Sequence, residues 1–272
     1  MKLRPEARRT ALSDEWDRIV RTTLRRGTPP EELEPRIDVD AFDPGAVAVA
    51  RKGWLRRMVD ETRSATVFSG LLPQLIEAEM PIDLQGVALR AAMDELRHGA
   101  LCALVAKALG ATPEAEIGDA AEGPAAHADC SPRARLIRNV IYTSCISETV
   151  SVALTAAERE EADEPLVSAV LDQLLGDETL HARFGWVCLE HVRDELDAED
   201  QKAVEAYLPL ALGHYENELR RRIGPPTSPG SEAERRDRAR LGVTESALAH
   251  DVLHDTLRGV IAPRLRDAGF WL

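Results

Sequence analysis

The chain has 272 residues, enough to bury a substantial core, and its hydrophobic content of 44% is rich in alanine and leucine, which favours helix over sheet. A formal net charge of −13 removes any electrostatic case for nucleic acid or an anionic membrane as partner. The opening residues, Met1-Lys2-Leu3-Arg4-Pro5-Glu6, lack the apolar run of a signal peptide, no 18-residue apolar stretch exists anywhere, and Cys102, Cys130, Cys145 and Cys188 form no C-x-x-C pair, which fits a reducing cytoplasm and argues against a zinc ribbon or a rubredoxin-type iron site.

Punctuation then divides the chain into helices. A first amphipathic segment, about Leu12 to Arg25, ends at Gly27-Thr28-Pro29-Pro30. Asp43-Pro44 is an N-cap followed by proline at the first helical position, opening a long helix to about Glu79 with Gly70 and Pro73 as kink sites. A second helix spans about Leu84 to Leu109 and stops at Gly110. Residues 111–130, rich in Ala, Gly, Pro and acids, read as a long connection. Ser131-Pro132 opens a third helix to about Glu160, and Pro165 a fourth to near Leu196. A fifth covers about Ala198 to Ile223, closed by Gly224-Pro225-Pro226, and after a loop a last one lies near Thr244 to Leu265. No strand-like alternation of useful length is present. The expected organisation is an N-terminal helical arm (1–42), a four-helix bundle (43–197) and a C-terminal helical extension packed on it (198–272).

Each of the four central helices carries a ligand-type residue in the middle of an apolar stripe. The first reads Trp54, Met58, Glu61, Ala65, Phe68, Leu72, Leu75; the second Ala91, Glu95, His98, Cys102, Val105, Leu109. The third reads Ile137, Ile141, Cys145, Glu148, Val152, Thr155; the fourth Leu171, Leu174, Glu178, His181, Gly185, Cys188, Val192. Helical periodicity turns each stripe toward a core and so drives carboxylates and imidazoles into it. A buried carboxylate must be protonated, paired or metal-bound. Four glutamates bring a charge that two divalent ions would neutralise.

Two of the helices repeat a motif, Asp94-Glu95-Leu96-Arg97-His98 and Asp177-Glu178-Thr179-Leu180-His181. A Glu and a His three apart point the same way on a helix. Glu61 precedes Glu95 by 34 positions and Glu148 precedes Glu178 by 30, so in each half the chain climbs one helix and returns to about the same height. This pattern resembles the ferritin-like dinuclear carboxylate superfamily, in which one Glu from each of two helices joins Glu-x-x-His from each of two others. The resemblance covers about Trp54 to Val192. It implies an all-α, ferritin-like four-helix bundle with a long crossover between helices two and three, and Glu61, Glu95, His98, Glu148, Glu178 and His181 as the metal-binding and catalytic set. By similarity to the bacterial multicomponent monooxygenases, Asp94 would hold His181 and Asp177 would hold His98, orienting each ring from outside the metal.

Other candidates have plainer readings. His250 and His254, spaced i, i+4 beside Asp251 and Asp255, have zinc-binding spacing but fit a solvated helix face. His127, His191 and His214 lack a partner pattern, and Cys102, Cys145 and Cys188 are small core fillers. Cys102 occupies the place of the radical tyrosine of ribonucleotide reductase small subunits, which argues against that role, and Leu174 stands where related N-oxygenases carry a third histidine.

The resemblance implies two iron ions, with manganese the alternative occupant at one or both positions. It implies an oxidase or oxygenase that turns dioxygen on a small organic substrate, with Ser64, Ala65, Ser147, Gly176 and Gly185 leaving room beside the ligands. Electrons would come from a separate reductase or from the substrate, and an exposed face of the fifth helix would serve a homodimer. The alternatives are an iron-oxidising, iron-binding protein without organic substrate, a manganese catalase-like enzyme, or a non-enzymatic descendant with a structural metal.

Overall fold

Asp43 accepts hydrogen bonds from the N–H groups of Gly45 and Ala46 at 2.8 and 3.2 Å, and Pro44 takes the first helical position, so α1 (Pro44–Glu77) begins where its cap dictates. The computed structural model describes residues 2–3, 35–116, 123–193, 195–225 and 230–271; the expected arm helix from Leu12 to Arg25 lies outside them. α1 runs through Gly70 and Pro73 as one helix and turns into α2 (Ile82–Ala108). Ser131 caps α3 (Pro132–Val140), which continues through a π-helical segment, Ile141–Glu148, into α4 (Thr149–Glu161). Glu164 caps α5 (Pro165–Val192) through Val167 N–H at 2.8 Å, and Asp197 caps α6 (Ala198–Ile223). The C-terminal part comprises α7 (Glu232–Arg240), α8 (Ser246–Asp255), a second π-helical segment (Thr256–Ile261) and α9 (Ala262–Asp267). The two-residue strands β1 (Lys2–Leu3) and β2 (Ala115–Glu116) pair antiparallel, joining the start of the chain to the crossover; sequence alternation gave no sign of them.

The fold is all-α and ferritin-like: α1, α2, α3–α4 and α5 form a four-helix bundle with a crossover between its second and third members. The core falls into two apolar clusters. One gathers Phe68, Leu71, Leu75, Ile137, Ile141, Phe184 and Leu189; the other gathers Trp54, Met58, Leu101, Val105, Leu109, Val167 and Leu171. Between them lies the level of residues 61, 95–98, 148 and 178–181, where the buried residues are polar. The C-terminal part is tied to the bundle by hydrogen bonds of the Trp54 indole to Leu241 carbonyl (3.0 Å), Asp43 N–H to Asp237 (2.8 Å) and Arg138 to Ala203 carbonyl (2.8 Å).

α3–α4 with its π segment, Pro132–Glu161, is long and apolar enough to cross a membrane by length and mean hydropathy (1.3), which corrects the reading that no such stretch exists. The same helix supplies Ile137, Ile141, Cys145 and Val150, all fully buried, to the bundle core; its apolarity serves that packing.

Candidate metal centre

The polar level brings all six candidate residues together. α1 supplies Glu61, α2 supplies Glu95 and His98, the last residue of the π segment is Glu148, and α5 supplies Glu178 and His181. His98 Nδ1 lies 3.3 Å from Glu178 Oε1, 3.6 Å from Glu95 Oε2 and 3.7 Å from Glu61 Oε2. His181 Nδ1 lies 3.1 Å from Glu95 Oε1 and 3.4 Å from Glu178 Oε2. Glu95 and Glu178 thus each offer one oxygen toward either imidazole. Two four-residue groups result, Glu61–Glu95–His98–Glu178 and Glu95–Glu148–Glu178–His181, each with its donor atoms within 4.8 Å of one another. Among the described residues no other cluster of this kind occurs. One glutamate from each of two helices and Glu-x-x-His from each of two others, all projecting inward, is the ferritin-like dimetal arrangement.

The donors fit a metal. Glu95, Glu178, His98 and His181 are all but fully buried, yet both oxygens of Glu95, Oε2 of Glu178 and Nδ1 of both histidines have no hydrogen-bond partner. Buried polar atoms left unpaired in this way are costly, and a cluster of them converging on common points is what a cation would satisfy. Glu61, whose side chain is 13% exposed, is the most solvent-open of the six.

Without metal, protons balance the charge. Burial drives the Glu61 carboxyl up to about 8, with Glu95 and Glu178 adding to it against the pull of His98. Burial and the nearby Glu178 raise Glu148 well above the usual carboxylate range. Burial opposes ionisation of Glu178 as well, but the adjacent Glu148, His181 and His98 hold it low. Burial likewise works against charging the imidazoles, yet Asp177 beside His98 and Asp94 beside His181 hold both well above the ordinary histidine value. Metal must displace these protons. Loading the metal-free protein near neutral pH in weak buffer should therefore release protons, and affinity should climb as pH is raised toward about 8, where Glu61 deprotonates. Titration against a pH indicator checks this; binding that is indifferent to pH would contradict it.

Behind the imidazoles stand the two aspartates, each on the other half of the bundle. Asp177 Oδ2 faces His98 Nε2 at 3.2 Å, a hydrogen bond; Asp94 Oδ2 faces His181 Nε2 at 3.6 Å, an ion-pair distance only. What sequence reasoning missed is what holds the aspartates. Arg97, itself buried, bonds Asp177, reaches Asp94 at 3.6 Å and donates to Gln173 Oε1 at 2.9 Å. Arg90 donates to Asp94 Oδ2 at 2.7 Å. The signal was present: Arg97 stands inside the first motif, where the second has Leu180, and Arg90 precedes Asp94 by one turn.

Close helix approach sets the ligand positions. A Cβ on Gly99, next to His98, would meet Thr62 Oγ1 of α1 at 2.8 Å; one on Gly185 would meet Ser144 Cβ at 2.5 Å and Cys145 Sγ at 2.9 Å. Gly185 therefore serves contact between α5 and the π segment and leaves no room for a substrate, contrary to the sequence reading; a Cβ on Gly176 would meet nothing within 4 Å. Gly185→Ala must push the segment that carries Glu148. A loss of about 1–3 kcal/mol is expected from such overpacking, together with weaker metal binding, whereas Gly176→Ala should change thermal stability little. Melting curves of the metal-free variants decide.

The remaining candidates lie elsewhere. His250 Nε2 bonds the Gly224 carbonyl at 2.9 Å while His254 is exposed beside Asp255, so the pair forms no second metal cluster. Cys102, Cys145 and Cys188 are buried and free. His191 is exposed, and His214 bonds Tyr142.

No protein-family model and no curated protein matches the chain. Among solved structures it is similar to a Synechococcus protein described as having aldehyde deformylating oxidase activity, at 15% identity and a TM-score of 0.45, over 90% of this chain and 95% of that one.

Proposed function

We propose that this chain is a non-haem diiron oxidase or oxygenase that uses dioxygen to oxidise a small organic molecule. The observation that carries the reading is the pair of overlapping ligand groups sharing Glu95 and Glu178. Glu61, Glu95, His98 and Glu178 would hold one ion, and Glu95, Glu148, Glu178 and His181 the other. Iron held by this carboxylate-rich set supplies two electrons for dioxygen and open positions at which it reacts. The chain's own part is to keep the donors converged, to orient the imidazoles through Asp177 and Asp94, and to exclude water with the apolar clusters on either side. On this reading a separate reductase or the substrate supplies electrons, and the working compartment is the cytoplasm.

Anaerobic loading with Fe²⁺, metal quantification per chain and measurement of dioxygen uptake test the proposal. About two irons per chain and dioxygen uptake that stops without mineral growth support it. A large multi-subunit shell that accumulates iron would instead identify a storage protein. Manganese loading followed by hydrogen peroxide disproportionation would identify a catalase.

A further inference from the structure

Of the chain's three tyrosines, Tyr142 lies in the π segment and Tyr207 and Tyr215 on α6, and all three pack against the same core cluster. The Tyr215 hydroxyl faces the carbonyl of Ser147, the neighbour of Glu148, at 3.5 Å. The Tyr215 ring meets that of Tyr142 edge-on, with centroids 5.9 Å apart. The Tyr142 hydroxyl is 2.9 Å from Nδ1 of His214, and His214 is exposed. The residue beside a candidate ligand, two aromatic rings and a surface imidazole thus form one contiguous line.

We propose that Tyr215, Tyr142 and His214 form a proton-coupled electron relay between the Glu148 side of the metal centre and the surface, with Tyr142 as its redox-active member. The inner terminus rests on the oxidase reading above.

A phenol that loses an electron becomes a strong acid, so it is oxidised readily only where a base takes its proton. Tyr142 has that base in His214, whose Nδ1 lies 2.9 Å from its hydroxyl and is positioned to take the proton. Tyr215 faces a carbonyl, which cannot keep a proton, so its ring conducts without trapping the radical. Tyr207 carries the Arg138 guanidinium 5.5 Å above its ring, and that charge opposes removal of an electron. At Tyr142 burial is the largest influence, and Glu218 and Arg222 act on the phenol with opposite sign. In the forward step Tyr142 would give one electron, through the Tyr215 ring, to the iron-loaded centre after its reaction with dioxygen, the terminal oxidant. The Tyr142 O–H bond breaks and an N–H bond forms on His214, leaving a neutral phenoxyl radical and an imidazolium. A one-electron donor of the thiol or ascorbate class at the surface restores the phenol, and His214 returns the proton.

Two arms test this. In the metal-free protein a photogenerated one-electron oxidant in solution should produce a radical assigned to Tyr142 by electron paramagnetic resonance with ring-deuterated tyrosine. Tyr142→Phe should abolish that signal. His214→Gln should slow its formation at least about tenfold and remove the solvent deuterium effect. A radical on Tyr207 or a tryptophan, or a rate untouched by His214→Gln, overturns the relay whatever the metal does. In the iron-loaded protein exposed to dioxygen without organic substrate, freeze-quenched samples should show the same radical. Tyr215→Phe, which keeps the ring, should retain it. Tyr215→Leu should lose it there while retaining it in the metal-free arm, which also shows that the variant is folded. Dioxygen uptake with no Tyr142 radical overturns the relay and leaves the oxidase reading standing; absence of dioxygen uptake overturns that reading and with it the relay's inner terminus.

Discussion

Glu178→Ala and Glu95→Ala should each empty both metal positions, whereas Glu61→Ala and Glu148→Ala should each leave about one ion bound per chain. The difference follows from how the carboxylates are shared. Glu178 places Oε1 at 3.3 Å from His98 Nδ1 and Oε2 at 3.4 Å from His181 Nδ1, so its loss takes a donor from both groups. Glu95 is shared in the same way, with Oε2 toward His98 and Oε1 toward His181. Glu61 belongs only to the His98 group and Glu148 only to the His181 group. Removing a shared carboxylate also removes the negative charge that lets two cations sit close together. Metal analysis after reconstitution and desalting, with the melting curve of each metal-free variant as a folding control, gives the comparison. Equal losses from all four variants would show that the carboxylates are not shared between two ions.

Much of this centre was legible in the sequence because its physical requirements are local. Three of the four helices that carry ligands begin at a recognisable cap or proline, and each ligand interrupts an apolar stripe at helical spacing. Glu61, Glu95, His98, Glu148, Glu178 and His181 could therefore be placed at one level before any coordinates, and the structure brings them together. The π-helical segment Ile141–Glu148 was not legible, because its extra residue leaves no compositional mark; only the contact across Gly185 shows where it matters. Glu232–Arg240 reads as a loop, since all nine of its residues are too polar or too small to form an apolar stripe, yet it is helical, held by the Ser231 cap and by the Asp237 bond to Asp43. Arg97 escaped for another reason. Its partners Gln173 and Asp177 lie 76 and 80 positions away, and only the assembled bundle shows that an arginine inside the motif points inward.

That arginine makes the two aspartates unequal despite their matched positions. Asp177→Ala should be the more damaging change, in stability as well as in metal binding, and Asp94→Ala the milder one. Asp177 hydrogen-bonds His98 at 3.2 Å and also pairs with Arg97, which is 3% exposed. Taking away the carboxylate leaves the buried guanidinium with Gln173 and only the longer 3.6 Å contact to Asp94, and breaking a buried pair from one side typically costs about 3–5 kcal/mol. Removing the partner that orients His98 adds a loss of about 10–100-fold in metal affinity. Asp94 is backed by Arg90, whose side chain is 22% exposed and can turn toward water, and its contact with His181 is longer, at 3.6 Å. A second substitution separates the two contributions. Arg97→Met fills similar space without charge, so in the Asp177→Ala background it should restore much of the lost stability while leaving metal affinity low. Thermal melts of the metal-free proteins report the first effect and competitive metal titration the second. If the double variant is no more stable than Asp177→Ala alone, the buried Arg97–Asp177 pair is not what holds this level of the bundle; if it regains full metal affinity, Asp177 does not act through His98.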